Sequence, residues 1–567
     1  MSIVEPDASR ITVAAAFGQT TGKCGWGRAL LLVCLAAAAV VTPMLFLEVA
    51  SGHDVQFHLA SWMDVLGQWR EGTLFPRWAE WANWGYGEPR FIFYPPASWI
   101  LGAGLGAILP WQAVPGAFAW IGLTAAGMSA WRLARDWMPR GEAAAAAVFY
   151  AVNPYNVAIV YYRSDFAELL AVALFPLLIC GALRAGRNGW SALTLVAVPL
   201  AGIWLSNAPA AVILTYSLCL ALVAMTVTTG SWRAVQVGVV GLVAGFGLAA
   251  VYILPAAWEQ KWVQIQEAVA GSMQPAANFL FAGGGDPDFR LFNARMSWIA
   301  IGMIATTAVS VAICLRSRKE SCALRWTLAA LALVSACLMI SPSAPLWRLL
   351  PKLQFVQFPW RWLIALSPAF ALFAAMASPG GKRGRRVWLA LVGLLIAAEG
   401  VAIGIDSYWD TDDVTAIVDS VRAGKGYEGT DEYAPLDCDR DALPQAGPKV
   451  GLVNGTGELR AASDAEMRIA RWSGERIELE VSATSNETLV LRRLNYPSWN
   501  ATIDSQRAPI ESAPDTGAIE LTVPEGTHRV EVRFARTWDR DAGGAISLLS
   551  AIGLAGFEAA RRRRRGA

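Results

Sequence analysis

The chain has 567 residues, 55% of them hydrophobic and 16% charged, with 47 basic against 45 acidic side chains and a formal net charge of +2. This composition excludes a disordered chain and an ordinary soluble globule, and it points to a polytopic membrane protein. The near-neutral balance says nothing about partners; the places where basic residues fall along the chain are informative.

After a tail over residues 1–27, the segment at about 28–49 is nearly free of charge and long enough to cross a hydrocarbon core. It reads as a retained first helix rather than a cleaved signal. Further apolar spans are expected at about 114–131, 142–160, 169–183, 191–206, 209–228, 236–254, 297–315, 325–341, 360–378, 387–405 and 543–559, about twelve in all. Between them the basic clusters fall on alternate loops: Arg132/Arg135/Arg140, Arg184/Arg187, Arg233, Arg316/Arg318/Lys319/Arg325, Lys382/Arg383/Arg385/Arg386 and the run Arg561 to Arg565. The positive-inside rule makes these loops cytoplasmic, with both termini inside, in an inner (cytoplasmic) membrane.

The stretch from Tyr94 to Pro110 is apolar but short and punctuated by prolines. It is expected to be interfacial or re-entrant, within a long first external loop at 50–113. Residues 28–406 then form a membrane domain. Residues 407–542 differ in kind, because 477–481, 519–523 and 530–534 alternate apolar and polar residues and are separated by turn formers such as Pro524-Glu525-Gly526. A small β-rich external domain is expected there, followed at 543–567 by a last helix and a basic tail. Of the eight cysteines only Cys438 lies in an external loop, so neither a disulfide framework nor a Cys/His zinc site is expected.

The unusual polar residues gather in the external loops. Two of the three histidines, His53 and His58, bracket Asp54 in Gly52-His53-Asp54-Val55-Gln56-Phe57-His58. A carboxylate at the mouth of a membrane domain is costly to hold, so it reads as functional, although helix capping is the plainer alternative. On a helix Asp54 and His58 share a face, where one can orient the other. The loop continues through Trp62, Trp69, Trp78, Trp81 and Trp84, which suit an interfacial belt or, at one or two positions such as Trp84, stacking on a sugar.

The second external loop carries Arg163, Asp165 and Glu168. The two carboxylates are three apart at a helix start, where they repel unless Arg163 or a cation neutralises them. Arg361 opens the tenth span within Gln357-Phe358-Pro359-Trp360-Arg361; its planar guanidinium suits a phosphate oxygen pair, and snorkelling to the interface is the alternative.

Together Gly52-His53-Asp54 with Phe57-His58, Phe75-Pro76-Arg77-Trp78, Gly85-Tyr86-Gly87, Phe93-Tyr94-Pro95-Pro96, Gln357 to Arg361 and Glu428-Gly429-Thr430-Asp431-Glu432-Tyr433 resemble the bacterial 6-pyruvoyl-tetrahydropterin-synthase-related polytopic membrane proteins. That family looks like a branch of the GT-C membrane glycosyltransferases, and residues 496–532 look like the external β-domain of YfhO-like relatives. The resemblance implies a GT-C-like membrane domain and a polyprenyl-phosphate-linked sugar as donor. It places Asp54 at the catalytic carboxylate and Asp165 near a second acidic site, and it draws His53, Arg77 and Tyr94 into substrate binding. The first loop has no Asp-x-Asp, so metal dependence is not implied, and no cofactor is expected.

The expected function is therefore transfer of a sugar to a cell-envelope glycan, lipid or protein acceptor on the outer (periplasmic or extracellular) face. Asp54 is the base, with His58 and Asp165 the other catalytic residues; His53, Arg77, Trp84, Tyr94, Arg163, Glu168 and Arg361 bind substrate. Membrane lipid is a further partner, and no nucleic acid is expected. The alternative is a non-enzymatic transporter, flippase or assembly factor for lipid-linked glycans. The clean spans, with acids at their outer ends, favour the transferase.

Overall fold

The computed structural model describes residues 24–283, 286–316, 322–410, 412–453, 459–461, 463, 466–514 and 516–566. The expected tail before residue 24 and the basic positions Arg318 and Lys319 lie outside these residues. Among the described residues, nine helices are long and apolar enough to cross a membrane, from Gly25–Leu47 to Trp538–Arg564. Two bent pairs raise this to as many as eleven: Arg233–Leu248 with Ala250–Trp262, at 73°, and Ala323–Leu338 with Ser341–Leu349, at 93°. In the second pair Ser341-Pro342 stands at the break, where proline disfavours helical geometry in the residue before it.

Each apolar segment read from the sequence falls on one of these helices. The segments at 169–183 and 191–206 share the apolar stretch Phe166–Trp204. That stretch is a hairpin: Gly202 lies against the Leu174 side chain and Gly181 against the Leu195 carbonyl, so its arms run antiparallel. The second arm, Leu193–Trp204, has 12 residues and a length of about 18 Å, short of the roughly 30 Å hydrocarbon core.

Burial grades the helices from centre to rim. Every residue of Leu363–Met376 is buried, which makes it the central helix. Gly381–Asp406 and Trp538–Arg564 are mostly exposed along their apolar windows and offer Leu391, Leu394, Leu548 and Leu549 to the surroundings, as lipid-facing helices should.

The first loop is folded, not extended over the surface. Val55–Arg70 forms a helix that packs against the short helix Pro96–Gly106, and the latter, with 11 residues, is no span. Trp62 and Trp78 are completely buried, so these two indoles belong to the protein core and not to an interfacial belt. Trp81 and Trp84 remain half-buried.

Residues 450–534 form a β-sandwich. Its strands are β1 (Val450–Val453), β2 (Leu459–Ala461), β3 (Met467–Trp472), β4 (Arg476–Ala483), β5 (Glu487–Leu494), β6 (Trp499–Ile503), β7 (Gln506–Ala508), β8 (Glu511–Ser512), β9 (Ala518–Val523) and β10 (Gly526–Phe534). They make two five-stranded sheets, in the orders β2-β1-β5-β9-β8 and β3-β4-β10-β6-β7, with every pairing antiparallel. The alternation that marked 477–481, 519–523 and 530–534 is visible in the fold: Ile477, Leu479, Val481, Ile519, Leu521, Val523, Val530 and Val532 all point into the sandwich core.

Several contacts fix the sandwich to the membrane part, among them an aromatic cluster and a buried ion pair. Trp78 of the first loop packs on Trp499, Phe534 and Tyr496, with ring centres 5.3, 5.4 and 6.0 Å away. Burying one such indole is worth about 2–3 kcal/mol. Glu259 takes a bidentate pair of bonds from Arg540, at 2.7 and 2.8 Å, and accepts one from the Tyr496 hydroxyl at 2.7 Å; both members of the pair are almost completely buried. Glu259→Gln leaves a buried guanidinium without its counter-charge. It is expected to cost roughly 3–5 kcal/mol, seen as a lower melting temperature in detergent and earlier proteolytic release of the sandwich.

Candidate functional site

The site is built around a reversal of the chain at residues 153–168. Asn153 caps the short helix Pro154–Ala158 by accepting from the Asn156 N–H at 3.1 Å. The backbone then widens into a π-helical turn, Ile159–Arg163, a rare geometry that recurs at functional sites. Ser164, in the left-handed region at φ 52°, ends this turn. Asp165 starts the next helix, its Oδ1 accepting from the Glu168 N–H at 2.9 Å. Capping therefore accounts for one carboxylate oxygen of Asp165 and leaves the other free for a cation.

The first loop docks on this reversal through its backbone. The Asp54 N–H donates to the Arg163 carbonyl at 2.8 Å and the His53 N–H to that of Tyr162 at 3.4 Å. The approach requires glycine at 52, because a Cβ there would stand 2.6 Å from Ser164 Oγ and 2.7 Å from the Arg163 carbonyl carbon. The Asp54 side chain makes no capping bond to its own helix. It turns to Arg163, which donates to it from Nη2 at 3.3 Å.

Arg163 is the hub. Its Nη2 also donates to Asp165 at 2.7 Å, its Nη1 to Glu168 at 2.5 Å, and its guanidinium lies 5.2 Å from the Trp360 ring centre. Arg361 stands behind, 3.3 Å from Glu168 and 3.7 Å from Asp165, and donates to the Val356 carbonyl at 3.0 Å and to Gln357 at 3.1 Å. The second oxygen of Glu168 accepts from the Tyr155 hydroxyl. Two guanidiniums thus face three carboxyl groups, a formal excess of one negative charge when all three are ionised. Arg163, Arg361, Asp165 and Glu168 are buried, whereas Asp54 is 37% exposed.

Burial by itself would raise the Asp165 carboxyl; Arg163 above all, then His58 and Arg361, outweigh it and hold the group well below the usual carboxylate range. The expected repulsion between Asp165 and Glu168 is relieved by these two arginines.

His58 does not serve Asp54 in the way its spacing suggests. Its ring nitrogens are taken up by Ser98 at 3.2 Å, the Tyr94 hydroxyl at 3.5 Å and Asp165 at 3.8 Å, while only its backbone N–H reaches the Asp54 carbonyl, at 3.0 Å. The helix geometry puts both residues at one end, but the packing of Pro96–Gly106 turns the imidazole inward. Tyr94 sits edge-on to Phe57, with ring centres 4.6 Å apart. Burial first, and then Asp165 and Asp54, push its hydroxyl well above the ordinary range.

Other expected substrate residues are placed around or away from this cluster. His53 is exposed beside Asp54 and its ring lies 4.5 Å from that of Phe292. Arg361, expected to meet a lipid phosphate, faces the carboxylates. Arg77 lies against the sandwich, its N–H donating to Glu475 at 2.7 Å and its guanidinium over Phe75 at 4.6 Å. Trp84 is clamped elsewhere, donating to the Tyr427 carbonyl at 3.0 Å and accepting from Arg492 at 2.8 Å.

Three charged groups had no role in the sequence reading. Glu88 and Arg90 form a completely buried pair at 2.6 Å, and Arg90 donates to Ser61 at 3.0 Å and lies over Phe57 at 4.3 Å. Glu88 also accepts from the Thr430 N–H at 3.0 Å, which docks the segment Glu428 to Tyr433 onto the first loop. Gly429 permits this, since a Cβ would stand 2.1 Å from Asn83 Oδ1. Glu432, on that segment, is pushed up to about 6 by burial, with Glu88 and Asp54 adding to the effect. A charge inside the apolar run Pro89-Arg90-Phe91-Ile92-Phe93 was the available signal for Arg90. Among the described residues no group of three or more His, Cys, Asp or Glu side chains is placed to hold a metal ion.

The family model described as "6-pyruvoyl-tetrahydropterin synthase related domain; membrane protein" matches residues 91–410. The match includes Arg163, Asp165, Glu168 and Arg361 and begins after Asp54 and His58. No curated protein matches the chain. Among solved structures, the chain is similar to the arabinofuranosyltransferase AftD from Mycobacteria, with 15% identity and a TM-score of 0.39, over 68% of this chain and 27% of that one. It is also similar to the Archaeoglobus fulgidus oligosaccharyltransferase in the apo form, with 12% identity and a TM-score of 0.39, over 69% of this chain and 56% of that one. The chain thus spans about a quarter of the first and somewhat over half of the second.

The raised Glu432 carboxyl has a consequence for stability. The folded state keeps its proton up to about pH 6, whereas the unfolded state loses it near pH 4.5. Stability therefore falls as pH rises through that window, by up to about 2 kcal/mol. Glu432→Gln is expected to remove this part of the slope, measured as the melting temperature in detergent at pH 4.5 and pH 7.

Proposed function

The chain belongs to the 6-pyruvoyl-tetrahydropterin synthase related family of membrane proteins, and we propose that it is a membrane glycosyltransferase that uses Asp54 as its base. In this reading it moves a sugar from a polyprenyl-phosphate donor to a cell-envelope glycan, lipid or protein acceptor on the outer face of the membrane. The observation that carries the reading is the state of Asp54. It is the one carboxylate of the cluster open to the surroundings, and a buried guanidinium holds it in place.

The chemistry follows from that arrangement. The acceptor oxygen attacks the anomeric carbon of the donor, the bond from that carbon to the phosphate oxygen breaks, and the acceptor proton passes to Asp54. Counted with all three carboxyl groups ionised, the cluster carries one excess negative charge before the step. With the proton on Asp54, two guanidiniums face two carboxylates and the buried charge balances.

Arg163 orients the base, and Asp165 and Glu168 fix Arg163 from behind. His58 holds Asp165 from the side of the first loop. Arg361 balances the inner carboxylates from the start of the central helix. A lipid-linked donor reaches such a site laterally from the bilayer, which suits a chain without a phosphate-binding loop. The alternation of basic loops along the sequence supports the outer face.

Asp54→Asn keeps the size and a hydrogen-bond acceptor for Arg163 but removes the base. It is expected to lower transfer at least about 100-fold, read as loss of the product from the surface glycan, with protein abundance unchanged; normal glycosylation in that variant would sink the assignment. Labelling of Asp54→Cys with a membrane-impermeant thiol reagent tests the face separately, because protection from reagent added outside would place the site on the wrong side.

A further inference from the structure

A second site lies where the first loop meets the sandwich. A cavity of about 270 Å³ opens there, lined by Trp81, Trp84, Trp472, Lys425, Lys449 and Arg492. No residue of the Asp54 cluster contributes to it. The three indoles are half-buried and come from separate stretches of the chain, two from the first loop and one from β3.

The charge of this cavity is one-sided. Among the described residues no carboxylate is paired with Lys425, Lys449 or Arg492. Arg492 is held by neutral groups: it donates to the Trp84 carbonyl at 2.8 Å and the Pro444 carbonyl at 2.7 Å, and its guanidinium lies 4.6 Å from the Tyr86 ring centre. Lys449 stands 5.5 Å from the Trp472 ring centre. The acid in the lining, Glu80, stands 3.8 Å from Arg493, and burial pushes it up to about 7.

The backbone is also strained here. Trp84 has φ 53° and ψ 37°, directly after Asn83 at φ 50°, a region that bulky side chains avoid. Its N–H and carbonyl are clamped by Tyr427 and Arg492. Strain kept at a cavity wall by surrounding bonds is characteristic of ligand sites.

We propose that this cleft binds an acidic saccharide, a sugar bearing a carboxylate or phosphate group. The ring faces stack on Trp81, Trp84 and Trp472, and the anionic substituent meets Lys425, Lys449 and Arg492. The cavity lies below the roughly 300 Å³ at which drug-sized sites begin, which suits one or two sugar units of a longer glycan. The inference goes beyond the transfer reaction and stands whether or not Asp54 is a base.

The test is equilibrium binding to the purified full chain in detergent, by calorimetry and by quenching of tryptophan fluorescence. The probes are a galacturonate hexamer for the carboxylate, glucose 6-phosphate for the phosphate, and maltohexaose as the neutral control. At least one acidic probe is expected to bind, more weakly as salt rises, while maltohexaose binds at least tenfold more weakly. The double variant Lys425→Gln/Lys449→Gln, which changes two exposed side chains, is expected to raise the Kd of that probe tenfold or more at an unchanged melting temperature. Trp472→Ala should weaken it comparably. Binding of neither acidic probe, equal binding of maltohexaose, or an unchanged Kd in the lysine double variant overturns the proposal.

Discussion

A guanidinium buried in a membrane protein must have its charge answered, and Arg163 is answered by three carboxylates from two parts of the chain. In a medium of low polarity an uncompensated charge costs several kcal/mol, so the geometry around Arg163 is tightly constrained. The π-helical turn, the left-handed Ser164, the glycine at 52 and the cap at Asp165 are the local means by which the backbone delivers these groups to one point. Arg361 completes the balance from the start of the central helix. Among the carboxylates of this cluster only Asp54 is left with an open side.

The first loop carries most of the long-range order. Its helix Val55–Arg70 brings His58 against Asp165, and its Trp78 enters the sandwich core. Its buried Glu88 captures the Thr430 segment, and its Trp81 and Trp84 form one wall of the second cavity. Beside Trp78 the sandwich is held by the Glu259–Arg540 pair, through Tyr496 and Ser498. One folded loop therefore relates the ion cluster, the cationic cleft and the sandwich, and the two sites share a scaffold while their linings remain separate.

The division between the matched family region and the remainder bears on function. Residues 91–410 hold the arginines and the inner carboxylates, and Asp54 is supplied from before that region. In the proposed reaction the region shared with the family therefore provides the fixed electrostatic frame, and the first loop provides the group that handles the proton.

The sequence by itself determined the membrane class, the apolar segments and the alternating strands, because hydrophobic length and period are local properties that survive without knowledge of contacts. It also drew out Asp54, Arg163, Asp165, Glu168 and Arg361, since charges at the ends of apolar spans stand out against their surroundings. Only the tertiary structure decided that Asp54 and Arg163, 109 residues apart, form a pair. It alone turned His58 toward Asp165, buried Trp62 and Trp78, set Arg77 apart from the cluster and paired Glu88 with Arg90. Those outcomes depend on which helix faces meet and how closely backbones approach, as at Gly52 and Gly429. A residue's type and spacing give its chemistry and its face on an element; its partner is set by packing between elements distant in the chain, about which a single sequence carries no direct signal.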